Sequence, residues 1–276
     1  MSEDRSRAEA HSDPEVSEDG GDRVAEGPRS MWTRRLDPDE RYGLRLTLFA
    51  AAFLVVAIPF GLLLEQVVRN GWLVRVDTSA ARHLHGWVRR SPGVVRALKA
   101  ISLLGEPVLF YVIVTIAALW VWRHHGKRLA LFLVVTTALG GLLDTAVKLA
   151  VNRSRPSLVD PVATAVGKSF PSGHAMGSTV VYGALLLVFL PLIPRRRKAA
   201  AVTAALVVVL AIGFSRLALG VHFISDVLGG YVLGLAWLTA SAAAFSIWRV
   251  DRGRPAVEPL EGLEPEFAGE ALREGS

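Results

Sequence analysis

Six apolar stretches divide this chain, each near or beyond the ~18–20 residues that cross a hydrocarbon core. They cover residues 46–64, 107–122, 129–147, 175–193, 199–214 and 223–248. In lipid a backbone must satisfy its own hydrogen bonds, so each stretch reads as a helix. The predicted fold is all-α: a polytopic membrane bundle with about six transmembrane helices. Pro59 in the first stretch predicts a kink, because neighbouring helices can satisfy the freed carbonyl. Composition agrees. Of 276 residues, 51% are hydrophobic, and the mean hydropathy is +0.38, values ordinary for a membrane bundle and unusual for a soluble domain.

The remaining sequence is organised around that bundle. Residues 1–40 are polar and rich in Asp, Glu, Ser and Arg, with no apolar core of a signal peptide, and read as a disordered N-terminal tail. Residues 251–276, acidic and containing Pro and Gly, read as a second tail. The membrane domain then spans residues 41–250. Between the first two apolar stretches, residues 65–106 mix polar and apolar side chains. Asp77-Thr78-Ser79 reads as a helix start, followed by Ala80, Ala81, Leu84, Trp87 and Val88 at helical spacing. Ser91-Pro92 reads as the cap and first position of another helix. The expectation is a pair of interfacial helices lying on the membrane.

A net charge of +6 would suit a nucleic-acid partner only with a basic stripe and interleaved aromatics, and none appears. The cations instead flank the apolar stretches. Arg123, Lys127 and Arg128 fill one short loop, Arg195, Arg196, Arg197 and Lys198 another, and Arg249, Arg252 and Arg254 follow the last stretch. With six spans these places share a side with both tails, and the positive-inside rule makes that side cytoplasmic. Arg69, Arg75, Arg82, Arg89, Arg90, Arg96 and Lys99 fall on the opposite side, where arginines of interfacial helices can snorkel to headgroups. There is no cysteine, which excludes thiolate chemistry and disulfides.

Three polar clusters stand at the ends of apolar stretches and on the outward side. Lys148 closes the third stretch and Arg155-Pro156 follows seven residues later. Two such cations suit a dianionic phosphate, and equally serve as juxtamembrane anchors. Asp144, one turn before Lys148, reads as the partner of that lysine. Pro171-Ser172-Gly173-His174 opens the fourth stretch. Ser172 can cap the helix, Gly173 lets the backbone approach an oxygen, and His174 can donate a proton; an ordinary capped helix with an interfacial histidine has the same pattern. Ser215-Arg216 closes the fifth stretch, and His222 and Asp226 open the sixth. Four residues apart on a helix, His222 and Asp226 share a face and can hydrogen-bond. An Asp in an apolar span is costly without a task or partner.

Together these three clusters, in this order and spacing, resemble the three-part signature of the type 2 phosphatidic acid phosphatase (PAP2) superfamily. The resemblance covers residues 148–226 and, through the six-span layout, most of the chain outside the tails. It implies metal-independent hydrolysis of a lipid phosphate or diphosphate, of the phosphatidic acid, phosphatidylglycerol phosphate or polyprenyl diphosphate class, through a phosphohistidine, with no cofactor. His222 would be the nucleophile, Asp226 its orienting partner and His174 the acid. Lys148, Arg155 and Arg216 would neutralise phosphate oxygens, with Ser172 and the Gly173 amide adding hydrogen bonds. His11, His83, His85, His124 and His125 match no part of the signature and are read as surface residues. The implied location is the plasma membrane, with the site on the extracytoplasmic face and both tails cytoplasmic.

The rival readings are a lipid phosphotransferase on the same scaffold, a transporter, and a non-catalytic lipid-binding protein. Transport sites tend to lie near the midplane at broken helices, whereas these charges gather at one end. Gly230 and Gly234 form a small-xxx-small pair that serves packing within the chain or a homodimer.

Overall fold

Prolines, one serine cap and one left-handed asparagine set several of the described helix ends. The computed structural model describes residues 54, 58–69, 71–124, 126–158, 160–252 and 262–267. Its helices are α1 (Ile58–Val68), α2 (Trp72–Val88), α3 (Pro92–Leu103), α4 (Pro107–Arg123), α5 (Lys127–Val151), α6 (Gly173–Phe189, continued by a 3₁₀ turn at Leu190–Leu192), α7 (Arg195–Ala218) and α8 (Ile224–Asp251). Among the described residues there is no strand. The predicted N-terminal tail, and most of the first predicted span, lie outside the described residues.

Helices α5, α6 with its 3₁₀ turn, α7 and α8 are long and apolar enough to cross a membrane. At 1.5 Å per residue, the 25 residues of α5 reach roughly 37 Å. Helix α4 has 17 residues and joins α3 across a 42° bend, the geometry of a broken span or of a re-entrant loop. The described residues therefore hold four spans, or five with the bent pair, against about six expected.

Proline stands at the first turn of α3 and of α4, where its missing N–H costs nothing. Ser91 caps α3 as expected, its Oγ accepting from the Val94 N–H at 3.5 Å. Helix α5 stops at Asn152, whose φ of 55° is left-handed and whose N–H returns to the Lys148 carbonyl at 3.0 Å. Helix α2 departs from expectation. It starts at Trp72, not at Asp77, so Asp77 is interior and fully buried. Its buried stripe is Asp77, Ala81, His85 and Val88. His85 is thus no surface residue; its Nε2 lies 3.1 Å from the Asp160 carbonyl.

The bundle closes by side-chain packing, since lipid offers no hydrophobic drive between spans. Phe110, Val114 and Val121 of α4 meet Leu129, Phe132 and Leu133 of α5, Val181 and Val188 of α6, and Phe245 of α8. Phe132 and Phe245 pack edge to face at 5.4 Å. Gly230 and Gly234 lie against α6: a β-carbon at Gly230 would fall 2.7 Å from the Ser172 carbonyl oxygen, and one at Gly234 2.9 Å from that of Met176. The small-residue pair is spent on contact within the chain.

Residues 262–267 correct the reading of 251–276 as a disordered tail throughout. Leu263 and Phe267 are buried in the same core, the Leu263 N–H donates to the Leu187 carbonyl at 3.2 Å, and Arg249 binds Glu266 through both terminal nitrogens at 3.1 Å. Two apolar side chains in that acidic segment outweigh its average composition.

Candidate active site

Helices α4 to α8 alternate in direction. The ends of α5 and α7 therefore meet the starts of α4, α6 and α8, and the three polar clusters converge at that end. A cavity of about 430 Å³ is lined there by Lys148, Arg155, Gly173, His174, Arg216 and His222. It continues between α4, α5 and α6 past Phe110, Tyr111, Gly140, Gly141, Gly177 and Val180.

Lys148 comes from the last turn of α5, with its Nζ 2.6 and 2.5 Å from the two carboxylate oxygens of Asp144. That is the pairing expected of Asp144, and it holds the ammonium at the cavity wall. Arg155 stands beyond the end of α5. Its Nε donates to the Gly167 carbonyl at 3.0 Å, its Nη2 to the Val166 carbonyl at 3.1 Å and its Nη1 to the Val221 carbonyl at 2.9 Å. The same Nη1 lies 2.9 Å from His222 Nε2. Burial lowers the Arg155 pKa from its ordinary value, with Asp226 and Asp144 acting against it.

His222 is 2% exposed and sits in the turn before α8. A guanidinium has only N–H groups to offer, so His222 Nε2 accepts and the ring proton is on Nδ1. Nδ1 faces Asp226 Oδ2 at 3.4 Å. The Nε2 lone pair thus points to the cavity wall at Arg155, and a phosphate that draws that guanidinium to its own oxygens would free it. Burial pushes the His222 pKa down to about 4; Asp226 pulls it up, and Arg155 and Arg216 add to the lowering. At neutral pH the ring is therefore uncharged, the state a nucleophile requires.

His174, in the first turn of α6, has its Nε2 3.2 Å from Glu106 Oε1. Its ring lies against Gly105, where a β-carbon would come within 2.8 Å of Cδ2. Arg216 ends α7 with Nη1 donating to Ser102 Oγ at 2.5 Å, while its buried Nε has no partner among the described residues. Gly173 faces Lys148, and a β-carbon there would stand 3.0 Å from Nζ. Ser172 does not cap α6 with its side chain, contrary to expectation. Its N–H donates to the Asp226 carbonyl at 2.9 Å instead, which fixes the start of α6 against α8. Its buried Oγ has no partner among the described residues, and the first-turn amides of α6 lack a side-chain acceptor. A helix start in that condition is an anion cradle.

The arrangement offers three cations, one uncharged imidazole with a lone pair, a second histidine paired to a carboxylate, and an uncapped helix start. That set can bind a tetrahedral dianion and attack it.

The PAP2 superfamily model matches residues 129–249. The phosphatidylglycerophosphatase B of Bacillus subtilis (strain 168) is 34% identical over 151 residues, covering 53% of this chain and 72% of that protein. The chain belongs to the PAP2 superfamily. A lipid A 1-phosphatase of Rhizobium etli is 33% identical over 121 residues, 41% of this chain and 48% of that relative. The crystal structure of a transmembrane PAP2-type phosphatidylglycerolphosphate phosphatase from Bacillus subtilis shares the fold, with a TM-score of 0.63 and 24% identity over 68% of this chain and 93% of that one. The PAP2 match makes this chain a membrane phosphatase, and it includes all eight predicted site residues.

Four residues that sequence reasoning missed adjoin this PAP2 site. Asp77 and Glu106 lie outside the matched stretch; Arg153 and Ser169 lie within it. Asp77 carried a signal, because it keeps helical register with Ala81 and Val88 on the buried stripe. Arg153 stands inside the spacer between Lys148 and Arg155, where nothing local distinguishes it from an anchor.

Proposed function

We propose that this PAP2 phosphatase removes the terminal phosphate of a glycerolipid phosphate, of the phosphatidylglycerol phosphate or phosphatidic acid class, through a phosphohistidine on His222. One observation carries the reading: the cavity runs from the cationic end of the bundle into a recess between α4, α5 and α6 that Phe110, Tyr111, Met176 and Val180 line together with Thr137. Gly141 stands seven residues before Lys148 on α5, roughly 10 Å deeper at 1.5 Å per residue. A headgroup phosphate at the cations thus leaves its chain running into the span. The relative named phosphatidylglycerophosphatase B supports a glycerolipid phosphate, while the lipid A 1-phosphatase supports a lipid phosphate in general.

His222 Nε2 attacks phosphorus in line, forming the P–N bond as the P–O bond to the lipid breaks. The electron pair leaves on that oxygen, and His174 supplies its proton. Glu106 keeps the His174 ring turned toward the cavity. Water then attacks the phosphohistidine, His174 takes the water's proton, and inorganic phosphate departs. Lys148, Arg155 and Arg216 hold the phosphate oxygens while charge redistributes, with Ser172 Oγ and the Gly173 amide as further donors.

The basic loops, with Arg123, Lys127 and Arg195 through Lys198, stand at the end of the bundle away from the cavity. Under the positive-inside rule that arrangement supports a site on the extracytoplasmic face of the plasma membrane. The test is phosphate release from a panel of lipid phosphates by purified protein in detergent, alongside His222→Ala. Release from glycerolipid monophosphates, lost in the variant, is expected. Activity on soluble phosphate esters only, or a His222→Ala protein at near wild-type rate, overturns the reading.

A further inference from the structure

Asp226 is buried with no exposure at all, and each of its oxygens is assigned. Oδ2 accepts from the Phe223 N–H at 2.9 Å, from Ser169 Oγ and from His222 Nδ1. Oδ1 accepts from Arg153 Nη1 at 2.6 Å. Arg153 is itself held on three sides. Nη1 also reaches Ser225 Oγ at 2.7 Å, Nη2 binds Asp77 Oδ2 at 2.8 Å, and the guanidinium lies over the Phe223 ring at 4.3 Å. Asp77 closes the array. Its Oδ1 accepts the Ser225 N–H at 3.0 Å, and its Oδ2 accepts the Ser225 hydroxyl.

We propose that Asp77 and Arg153 are positioning residues of the phosphatase, a clamp from α2 that fixes the Asp226 carboxylate and through it the His222 ring. The proposal rests on His222 being the nucleophile. Holding Oδ1 prevents the carboxylate from rotating, so Oδ2 alone can face Nδ1. Because α2 supplies one jaw, the helix between the first two apolar stretches completes the site and does not merely lie on the membrane. Two buried carboxylates with one guanidinium between them also divide the electrostatics. Arg153 tempers the pull of Asp226 on the His222 proton, and Asp77 keeps Arg153 from overcompensating. A buried charge whose partner is deleted is costly, so both members have to be present.

The signs follow. The charged and titratable groups facing His222 are Asp226 on α8, Arg155 after α5, Arg216 on α7 and His174 on α6, with Arg153 behind Asp226 and His83 of α2 across a second, apolar cavity. Arg153→Gln removes a positive charge, so His222 takes up its proton at a higher pH. Asp77→Asn removes a negative one and moves it the other way. Each shift should be about one pH unit, and the double variant should return toward wild type.

The experiment titrates ¹⁵N-histidine-labelled full-length protein in detergent, and measures phosphohistidine formation by rapid quench. Arg153→Gln is expected to slow formation by roughly 10- to 100-fold, as a mispositioned nucleophile does, with partial recovery in Arg153→Lys. Unchanged thermal melting of Arg153→Lys separates positioning from a folding defect. Opposite shifts for the two single variants support the clamp, since lost structure alone gives no opposed signs. If His222→Ala abolishes turnover but Arg153→Gln and Asp77→Asn leave formation rate and titration unmoved, the clamp is wrong and the nucleophile stands. If His222→Ala keeps its activity, the nucleophile assignment itself fails.

Discussion

Gly141 is where the channel can be closed without disturbing the chemistry. A β-carbon there would have its nearest neighbour, Tyr111 Oη, at 4.0 Å, so a side chain enters open space. Gly177, on the facing wall, offers no such freedom; its β-carbon would come within 2.6 Å of Phe110 Cε2. In Gly141→Leu the added isobutyl group occupies the volume of roughly three to four ligand methylenes. At ~0.8 kcal/mol for each methylene kept out of the channel, the loss is about 3 kcal/mol of binding. That is on the order of 10² in kcat/KM for a long-chain lipid phosphate. The added group stands about 10 Å below Lys148, so a short water-soluble phosphate ester should keep its rate within about twofold. Initial rates of phosphate release from a long-chain phosphatidic acid and from an aryl phosphate, both in the same detergent, give the comparison. Equal losses on both would mean that the substitution damages the site. No loss on either would mean that the chain does not enter between α4, α5 and α6, and the substrate pose would have to be abandoned.

Other expectations are as direct. His174→Ala should slow lipid phosphate hydrolysis by roughly 10²–10⁴-fold, with a smaller loss on an aryl phosphate, whose leaving oxygen needs little protonation; steady-state rates on the two substrates check it. Ser172→Ala removes a buried hydroxyl without a partner among the described residues, so melting temperature should hold or rise while KM increases about 5- to 10-fold, one hydrogen bond's worth. His222 fixes a pH dependence of stability. Above pH 6.5 both folded and unfolded chains hold it neutral; between 6.5 and about 4 only the unfolded chain takes up the proton. Stability should therefore fall as pH drops through that window, by roughly 3 kcal/mol in all. Melting curves of wild type and His222→Gln should diverge between pH 7 and 4, and parallel curves would refute the assignment.

The eight candidate residues stood out because the pattern of each cluster is local: Lys148 to Arg155, Ser172 to His174 and Arg216 to Asp226 are short stretches at the ends of apolar runs, and the fold brings these stretches to one cavity. What the spacing could not convey was support from a distance. Arg153 is indistinguishable from a juxtamembrane anchor until Asp77 and Asp226 are seen on either side of it. Asp77 looks like a helix start because acidic residues usually are, and its burial is tolerable only because Arg153 and Ser225 meet it across 76 and 148 positions. Ser172 is the opposite case. Its place at a helix start predicts a cap, yet its N–H is committed to Asp226 and its hydroxyl faces no protein acceptor among the described residues. The same logic governs the C-terminal segment, where composition over 26 residues predicts a tail and two side chains, Leu263 and Phe267, decide the packing. Average properties located the membrane helices, and local motifs marked the candidate phosphate site. The residues that hold that site rigid are visible only once α2, the stretch after α5 and the start of α8 are brought together.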